Sequence, residues 1–348
     1  MRAFNSSAPT KAIIAGEHSV VYGGLALAAP LDNRKRCMCK VSDAPKGKGC
    51  ISVEDIVGSG KYFPDGRYED SDGWFGAKAR LIEFVLESEE RDIGELKIAL
   101  TLSKNNIPKG TGHSAATAAA MSLCIYGALG IKPAKTRLFE AMQAFEAVAH
   151  GGRPSGVDAM AVLSDSPLEF RRRFLADGTS KLDFEGVGLS LPRGTCILLA
   201  NTLRAGETPV TTAGMIRKFA ETENIPKAPH ELSEDARLEI TSPFDELVLD
   251  IRKEMHEKGN PARLGKLLTK NHALLREAGV SSIGIEETLD IANRSGALGG
   301  KLTGAGGRGG AALIYCRNKE AEGILGALRE NGIRGVKAEF STRGACLE

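Results

Sequence analysis

The segment from Asn105 to Met121, NNIPKGTGHSAATAAAM, constrains the fold more than any other part of the chain. It begins with a turn that contains two closely spaced glycines, Gly110 and Gly112, and its alanine-rich continuation predicts a buried helix that ends near Gly130. The first N–H groups of a helix lack partners inside the helix, and the helix dipole adds partial positive charge there. The loop is therefore either a plain turn before a serine cap or a binding site for an anion such as phosphate.

Composition excludes several other classes of protein. The chain has 348 residues, enough for about two domains, and its 42% hydrophobic and 26% charged residues are typical of a soluble globular protein. A net charge of +2 gives no strong field for nucleic acid or a membrane surface, and we expect neither as a partner. The N-terminus does not resemble a signal peptide, and the seven scattered cysteines contain no C-x-x-C pair, so we expect a reducing, cytoplasmic setting.

The order of predicted elements favours an α+β fold in two halves. Strand-like segments alternate with helices up to about residue 190, whereas the segment from about Thr211 to Ala292 is mostly amphipathic helix. A second glycine-rich loop follows in GGKLTGAGGRGGAALIYC and leads into a strand. We therefore predict an N-terminal domain over residues 1–190 and a C-terminal domain over 191–348. Because the two glycine loops fall in different halves, we expect a ligand-binding cleft between the domains.

The segment FEAVAHGGRPSGVDAM contains two acidic side chains, Glu146 and Asp158, that are candidates for a functional site. Glu146 and His150 lie four residues apart and hence on one face of a helix. Asp158 follows a Pro-Ser-Gly turn, where a carboxylate is well placed to accept a proton from an alcohol. The same pattern also fits a helix end and a turn stabilised by an aspartate.

Two further segments carry residues that suit phosphate chemistry. In PTKAIIAGEHSVVYGG, Lys11 precedes an apolar strand and Glu17-His18 fall in the turn after it. A lysine buried beside a carboxylate can stabilise developing alkoxide charge, although a lone lysine is more often solvated. Five glycines between Gly304 and Gly310 cost much backbone entropy, which indicates either a close backbone approach to a ligand or a loop that requires positive φ angles.

Together these segments resemble the motifs of the GHMP superfamily of small-molecule kinases. PTKAIIAGEHSVVYG at residues 9–23 resembles the first family motif, and PKGTGHSAA at 108–116 resembles the phosphate loop. HGGRPSGVD at 150–158 and KLTGAGGRGG at 301–310 resemble the later motifs, and LTKNHALLREAGVSS at 268–282 is similar to the helix before the last loop. The resemblance is in order and covers nearly the whole chain. It implies a two-domain GHMP kinase fold with the active site between the domains.

The resemblance also implies roles for individual residues. Asp158 matches the catalytic aspartate and Lys11 the lysine beside it, while Ser114 and Glu146 match the residues that bind Mg²⁺. The positions that match the family's ATP-binding residues are Ser103, Lys109, Gly110, Thr111, Gly112, His113, Ser114 and Ala115. The positions that match the acceptor side are Glu17, His18, His150, Gly304 and Ala305.

Within the superfamily the chain resembles kinases whose acceptor is mevalonate, which implies ATP and Mg²⁺ as cofactors. Several positions depart from the family pattern: Thr10, His113, Arg153, Arg308 and the run Arg171-Arg172-Arg173. These departures leave a phosphorylated mevalonate or homoserine open as the acceptor. A sensor that binds without turnover is the alternative from another class, and the resemblance also leaves a homodimer open.

Overall fold

The computed structural model describes residues 2–56, 58–71, 73–104, 108, 110–149, 152, 154–175, 177–204 and 206–348. Lys109, His150 and Arg153 lie outside the described residues. The described chain forms two β-sheets, each covered by helices, which confirms the predicted α+β class. Among the described residues, no helix is long and apolar enough to span a lipid bilayer.

The first sheet is built mainly from the N-terminal half. Its strands are β1 (Arg2–Ala15), β2 (Leu25–Asp43), β3 (Cys50–Asp55), β4 (Gly58–Tyr62), β5 (Tyr68–Asp70), β6 (Leu96–Leu102), β7 (Leu168–Phe174) and β8 (Ser180–Gly186). A last strand, β13 (Cys346–Leu347), pairs with β1, so the sheet order is β13-β1-β2-β6-β3-β4-β5, with β7 beside β2 and β8 beside β7. Strands β3 and β6 run parallel, and the other neighbours are antiparallel.

The helices of this half are α1 (Gly76–Ser88), α2 (His113–Ala128), α3 (Lys135–Ala149) and α4 (Val157–Leu163). Helix α2 packs against β1 and β2 on one side and against α3 on the other. Its alanines from Ala115 to Ala120 are fully buried, because only small side chains let the helix fit between these layers. The predicted buried helix is therefore confirmed.

The second sheet has the order β10-β11-β9-β12 and is antiparallel throughout. Its strands are β9 (Thr195–Asn201), β10 (Gly299–Thr303), β11 (Ala311–Arg317) and β12 (Gly335–Ala338). Its helices are α5 (Thr212–Thr222), α6 (Glu234–Glu254), α7 (Pro261–Glu277), α8 (Ile283–Arg294) and α9 (Ala321–Glu330). The helical character predicted between Thr211 and Ala292 is confirmed by α5 to α8.

An apolar core joins the two halves. Leu27 and Leu31 of β2 pack in one buried cluster with Leu199 of β9 and Leu313 of β11, under helices α6 and α7. Removing this surface from water stabilises the contact by roughly 25 cal/mol per Å². This cluster joins the two sheets, and hydrogen bonds between Ile13 and Thr303 connect β1 to the end of β10.

The structure differs from the sequence prediction at three places. Strand β1 begins at Arg2, well before the apolar run, because the polar Ser6 is buried and donates a hydrogen bond to the carbonyl of Ala120 in α2 at 2.6 Å. Helix α4 and the β7–β8 hairpin were not predicted from sequence. Strand β13 was also missed, since two paired residues carry no periodic pattern.

Candidate active site

The loop after β1 brings the first motif into the cleft. Gly16 has a φ of 88°, and a Cβ atom there would lie 2.2 Å from the carbonyl oxygen of Leu25, so only glycine fits. His18 also has a positive φ of 61°. The tight reversal turns Glu17 and His18 away from β1 and toward the second half of the molecule.

Lys11 and Asp158 form the central ion pair of the site. Lys11 Nζ lies 3.0 Å from Asp158 Oδ1, and the Lys11 side chain is 3% exposed while that of Asp158 is 33% exposed. Asp158 lies in the first turn of α4, after Gly156 with a φ of 80°. A Cβ at Gly156 would lie 3.0 Å from the ring of Phe139, which explains the glycine in the Pro-Ser-Gly turn. The carboxylate is thus fixed beside a buried cation yet remains open to the cleft.

The glycine loop before α2 lies directly against Lys11. The backbone N–H of Lys11 donates to the carbonyl of Thr111 at 2.9 Å. Gly112 is the N-cap of α2 with a φ of 70°, and a Cβ there would lie 2.8 Å from Lys11 Cγ. The positive end of the α2 dipole, the loop N–H groups and the Lys11–Asp158 pair therefore surround one space, which suits the transfer of an anionic group.

Ser114 and Glu146 lie on α2 and α3, two helices that pack against each other. The two helices pack against each other and are joined by a short connection, so the start of α2 lies beside the end of α3. Ser114 is in the first turn of α2, and Glu146 is a buried residue in the last turn of α3. A hydroxyl and a carboxylate are oxygen donors of the kind that fits Mg²⁺, which keeps few protein ligands when it binds nucleotides.

The third motif contacts the glycine loop across the cleft. A Cβ at Gly304 would lie 2.7 Å from the carbonyl oxygen of Gly110, so the two glycine loops touch through their backbones. The hydroxyl of Thr303 donates to the carbonyl of Ile13 at 2.9 Å and accepts from its N–H at 3.0 Å. These contacts tie β10 to β1 and fix the distance between the two motifs.

A buried ion pair between Glu17 and Lys301 adds to this connection. Both side chains are at most 1% exposed, and Lys301 also donates to the carbonyl of Leu302. Burial raises the pKa of Glu17 above its usual value, although the charge of Lys301 opposes this effect. Burial likewise lowers the pKa of Lys301, against the attraction of Glu17. The pairing itself joins positions 284 residues apart and was not predicted from the sequence.

His18 lies next to Ala305 of the third motif. Its Nε2 is 3.0 Å from the Ala305 carbonyl, which can only accept, so Nε2 carries the proton and Nδ1 presents a lone pair. Nδ1 is buried and has no hydrogen-bond partner. The ring stacks on Phe219 at 5.3 Å, and burial lowers the pKa of His18 to about 4, so the ring is neutral near pH 7.

Three further predicted ATP-binding positions are Ser103, just after β6, and His113 and Ala115 in α2. The Ser103 hydroxyl accepts a hydrogen bond from the Arg36 N–H at 2.9 Å, and its carbonyl accepts one from Lys35 Nζ at 2.7 Å. Ser103 therefore anchors the end of β6, just before the glycine loop, and its contact with a nucleotide stays a prediction. His113 and Ala115 lie in the first turn of α2 with Ser114.

Sequence reasoning missed two buried polar groups beside the site. Lys35 and Lys78 both contact Asp55, at 3.2 and 3.3 Å, behind the end of β6. His272 of α7 accepts from the Leu302 N–H at Nδ1, and its Nε2 lies 3.0 Å from Glu286. The only sequence signal for His272 was its place in the family-like helix segment.

The fold and the two facing glycine loops are those of a GHMP kinase, and sequence models of that class match both halves: GHMP kinases N terminal domain over residues 80–166 and GHMP kinases C terminal over 251–334. Mevalonate kinase of Aeropyrum pernix is 30% identical over 100% of this chain and 99% of its own. Mevalonate kinase of Thermococcus gammatolerans is 29% identical over 99% and 98%. The chain belongs to the mevalonate kinase family.

Solved structures show the same fold. The mevalonate kinase of Methanococcus jannaschii superposes with a TM-score of 0.76 at 21% identity, over 97% of this chain and 98% of that chain. The mevalonate kinase of L. major in complex with R-mevalonate gives a TM-score of 0.75, also at 21% identity, over 98% and 97%. The GHMP fold inferred from the motifs is confirmed.

Proposed function

We propose that the protein transfers the γ-phosphoryl group of ATP to the primary hydroxyl of mevalonate, giving 5-phosphomevalonate and ADP. The observation that carries the proposal is the Lys11–Asp158 pair at 3.0 Å, placed directly against the glycine loop at the start of α2. Phosphoryl transfer to an alcohol requires a base, a positive charge and a backbone segment that binds the phosphate anion, all close together. The full-length relatives named mevalonate kinase support mevalonate as the acceptor.

In the proposed reaction, Asp158 accepts the proton of the attacking hydroxyl. Lys11 holds the Asp158 carboxylate in place and stabilises the negative charge that develops on the alcohol oxygen. The N–H groups of the loop Gly110-Thr111-Gly112 and the first turn of α2 hold the ATP phosphates. Because the transition state of phosphoryl transfer is loose, most of the rate gain comes from positioning and charge stabilisation rather than from proton transfer alone.

The magnesium ion is part of the proposal. Ser114 and Glu146 would hold it, since they present a hydroxyl and a carboxylate beside the phosphate loop. When bound, the ion offsets the charge on the β- and γ-phosphates. Ser103, which follows β6, would extend the nucleotide site, and the resemblance implies the same role for Lys109.

On the acceptor side, we assign binding to Glu17, His18, His150, Gly304 and Ala305. His18 is the best supported of these, because its buried Nδ1 presents an unused lone pair that can accept a hydrogen bond from a hydroxyl group of the acceptor. Glu17 contributes mainly by fixing the turn through Lys301. A cytoplasmic setting also remains our proposal, supported by the seven scattered cysteines, and the homodimer remains a prediction.

A coupled assay of ADP release tests the proposed function. We expect turnover with mevalonate and little with 5-phosphomevalonate or homoserine. Asp158→Asn should lower kcat by at least about 100-fold, the lower end of general-base effects, with ATP binding little changed. Asp32→Asn is the matched control, since Asp32 is exposed and only weakly paired with Arg34 at 3.8 Å. Turnover restricted to another acceptor, or near wild-type kcat in a folded Asp158→Asn protein, would contradict the proposal.

A further inference from the structure

Residues 341–348, which we call the C-terminal segment, follow the second sheet and return to the first, where they contact both β1 and α4. The strand β13 within the segment pairs with β1, which carries Lys11. The N–H of Ser341 donates to the carbonyl of Pro30 at 2.8 Å, and Pro30 is the direct cross-strand partner of Lys11. The segment is therefore fixed to the two strands that position the lysine of the site.

The C-terminal segment also holds the end of α4, the helix that carries Asp158 in its first turn. The N–H of Ala345 donates to the carbonyl of Val162 at 3.1 Å. The N–H of Gly344 donates to Oδ1 of Asp165, just after the helix, at 2.8 Å. Because the last carbonyls of a helix have no partner inside the helix, the segment supplies a donor that α4 itself cannot provide.

The segment and α4 are in close backbone contact at Gly344. A Cβ atom there would lie 2.6 Å from the carbonyl oxygen of Leu163 and 3.1 Å from that of Ser164. These are backbone atoms, which cannot move aside as the end of a flexible side chain can. A larger residue at this position must therefore displace either the segment or the end of the helix.

Arg34 of β2 fixes the segment in place. Its side chain is 9% exposed, and its Nη1 and Nη2 donate to the carbonyls of Arg343 and Gly344, each at 2.7 Å. Its Nε donates to the hydroxyl of Ser7 in β1 at 3.0 Å. Because a guanidinium presents its donors in a rigid planar arrangement, Arg34 holds β1 and the segment at a fixed separation. A displacement caused by a larger residue at position 344 should therefore fall mainly on α4.

Helix α4 depends on such support because it is short. It has seven residues, and helices shorter than about 12–15 residues are marginal on their own, so tertiary contacts must set its direction. Its first turn carries Asp158, whose Oδ1 lies 3.0 Å from Lys11 Nζ. A misplacement of about 1 Å in a reacting site can lower the rate by about 100-fold. A small movement of α4 should therefore slow the reaction.

We propose that the C-terminal segment, anchored by Arg34, is a positioning element that sets the distance between Asp158 and Lys11. It joins β1, which carries the lysine, to the end of α4, whose start carries the base, in one network of hydrogen bonds. This inference rests on the proposed function, in which Asp158 accepts the proton of the acceptor's hydroxyl. The segment is not a catalytic group, and its effect on the rate passes through Asp158.

A double-mutant cycle on kcat tests the proposal. Gly344→Ala should lower kcat for mevalonate by about 10-fold, because the added methyl group forces a shift of several tenths of an ångström. The KM for ATP should be unchanged, since the glycine loop before α2 is not part of this network. In the Asp158→Asn background the same change should lower kcat by less than about twofold, because the group that it displaces is already removed. Gly188→Ala is the matched control: the position is exposed, a Cβ there meets nothing within 4 Å, and kcat should be unchanged in both backgrounds.

The outcomes separate this inference from the proposed function. Absence of mevalonate turnover by the wild-type protein would overturn the proposed function itself. Wild-type kcat in a folded Gly344→Ala protein would overturn only the positioning role. An equal loss of kcat with and without the Asp158 carboxylate would do the same, because a general loss of structure lowers kcat equally in both backgrounds.

If Gly344→Ala fails to fold, as judged by circular dichroism and thermal unfolding, Arg34→Lys replaces it in the cycle. A lysine keeps the positive charge but lacks the planar set of donors that holds the segment. We expect Arg34→Lys to lower kcat in the wild-type background and to have little further effect in Asp158→Asn. Equal losses in the two backgrounds would again overturn the positioning role.

Discussion

Replacing Lys301 with methionine removes one partner of a fully buried ion pair and leaves the other in place. Glu17, which is 1% exposed, then keeps its carboxylate charge in a buried position without its direct partner, and the nearby Lys11 is the charge that still opposes the effect of burial. The carbonyl of Leu302 also loses a donor. Methionine fills much of the volume of the lysine stem, so the main effect of the change is electrostatic rather than a cavity.

The loss of stability depends on whether Glu17 stays ionised or binds a proton in the variant. Breaking a buried pair typically costs about 3–5 kcal/mol. The carboxyl can limit the loss by binding a proton, which at pH 7 costs about 3.4 kcal/mol for a group whose ordinary pKa is 4.5, at about 1.36 kcal/mol per pH unit. At pH 5 the same protonation costs only about 0.7 kcal/mol. We therefore expect Lys301→Met to reduce the free energy of unfolding by about 3–4 kcal/mol at pH 7 and by about 1–2 kcal/mol at pH 5, where the lost bond to Leu302 remains.

The direction in which stability changes with pH follows from the protonation of Glu17. In Lys301→Met the folded-state pKa of Glu17 is raised above its unfolded value, so the folded state binds more protons and loses stability as the pH rises. Urea unfolding at pH 5 and pH 7 measures the difference directly. The double variant Glu17→Gln/Lys301→Met lacks both charges of this pair and should be more stable than Lys301→Met at pH 7. Lys337→Met, which removes a surface pair with Glu339, should change stability by less than about 0.5 kcal/mol.

A loss below about 1 kcal/mol at pH 7 for Lys301→Met, or a loss that is equal at both pH values, would refute this account. It would mean that Glu17 reaches water or another partner when Lys301 is absent.

Two further predictions concern the metal and His18. Ser114→Ala and Glu146→Gln should each raise the Mg²⁺ concentration needed for turnover while thermal unfolding is unchanged, and wild-type Mg²⁺ dependence in Glu146→Gln would contradict the metal assignment. Burial lowers the pKa of His18 to about 4 from its usual 6.5, so the unfolded chain binds more protons between these values and stability should fall by up to roughly 3 kcal/mol as the pH drops from about 6.5 to 4. Urea unfolding of His18→Asn should show a correspondingly flatter pH dependence, and an unchanged slope would contradict the buried, neutral state of His18.

The parts of the fold that sequence predicted are those with local signals. The alanine run predicted a buried helix because small side chains on every face leave no other stable location, and α2 confirms it. Gly112 and Gly304 have the positive φ angles that a glycine turn requires, and a Cβ at either position would meet Lys11 or Gly110. Their close approach to a bound ligand stays a prediction. The in-order motifs then gave the family.

The parts that sequence did not predict depend on pairings between distant residues. Three arginines in a row have the same chemistry, and strand alternation separates Arg172 from Arg171 and Arg173 only once β7 is known to be a strand. Which of them is paired depends on Asp245 and Asp183, far along the chain or across a hairpin. No local pattern contains that information.

The contacts between the first and third motifs indicate how the acceptor side is controlled. Glu17 pairs with Lys301, and His18 bonds to the carbonyl of Ala305, so both residues of the first turn are held by the strand and loop that begin with β10. The carbonyl of Thr111, in contrast, bonds to Lys11 within the first half. Changes in the third motif should therefore act on the acceptor's KM through the position of this turn, whereas the Lys11–Asp158 pair, built entirely within the N-terminal half, keeps its geometry. In the proposed mechanism, the third motif would affect the acceptor's KM by positioning the turn that carries Glu17 and His18, whereas the base and its lysine both belong to the N-terminal half.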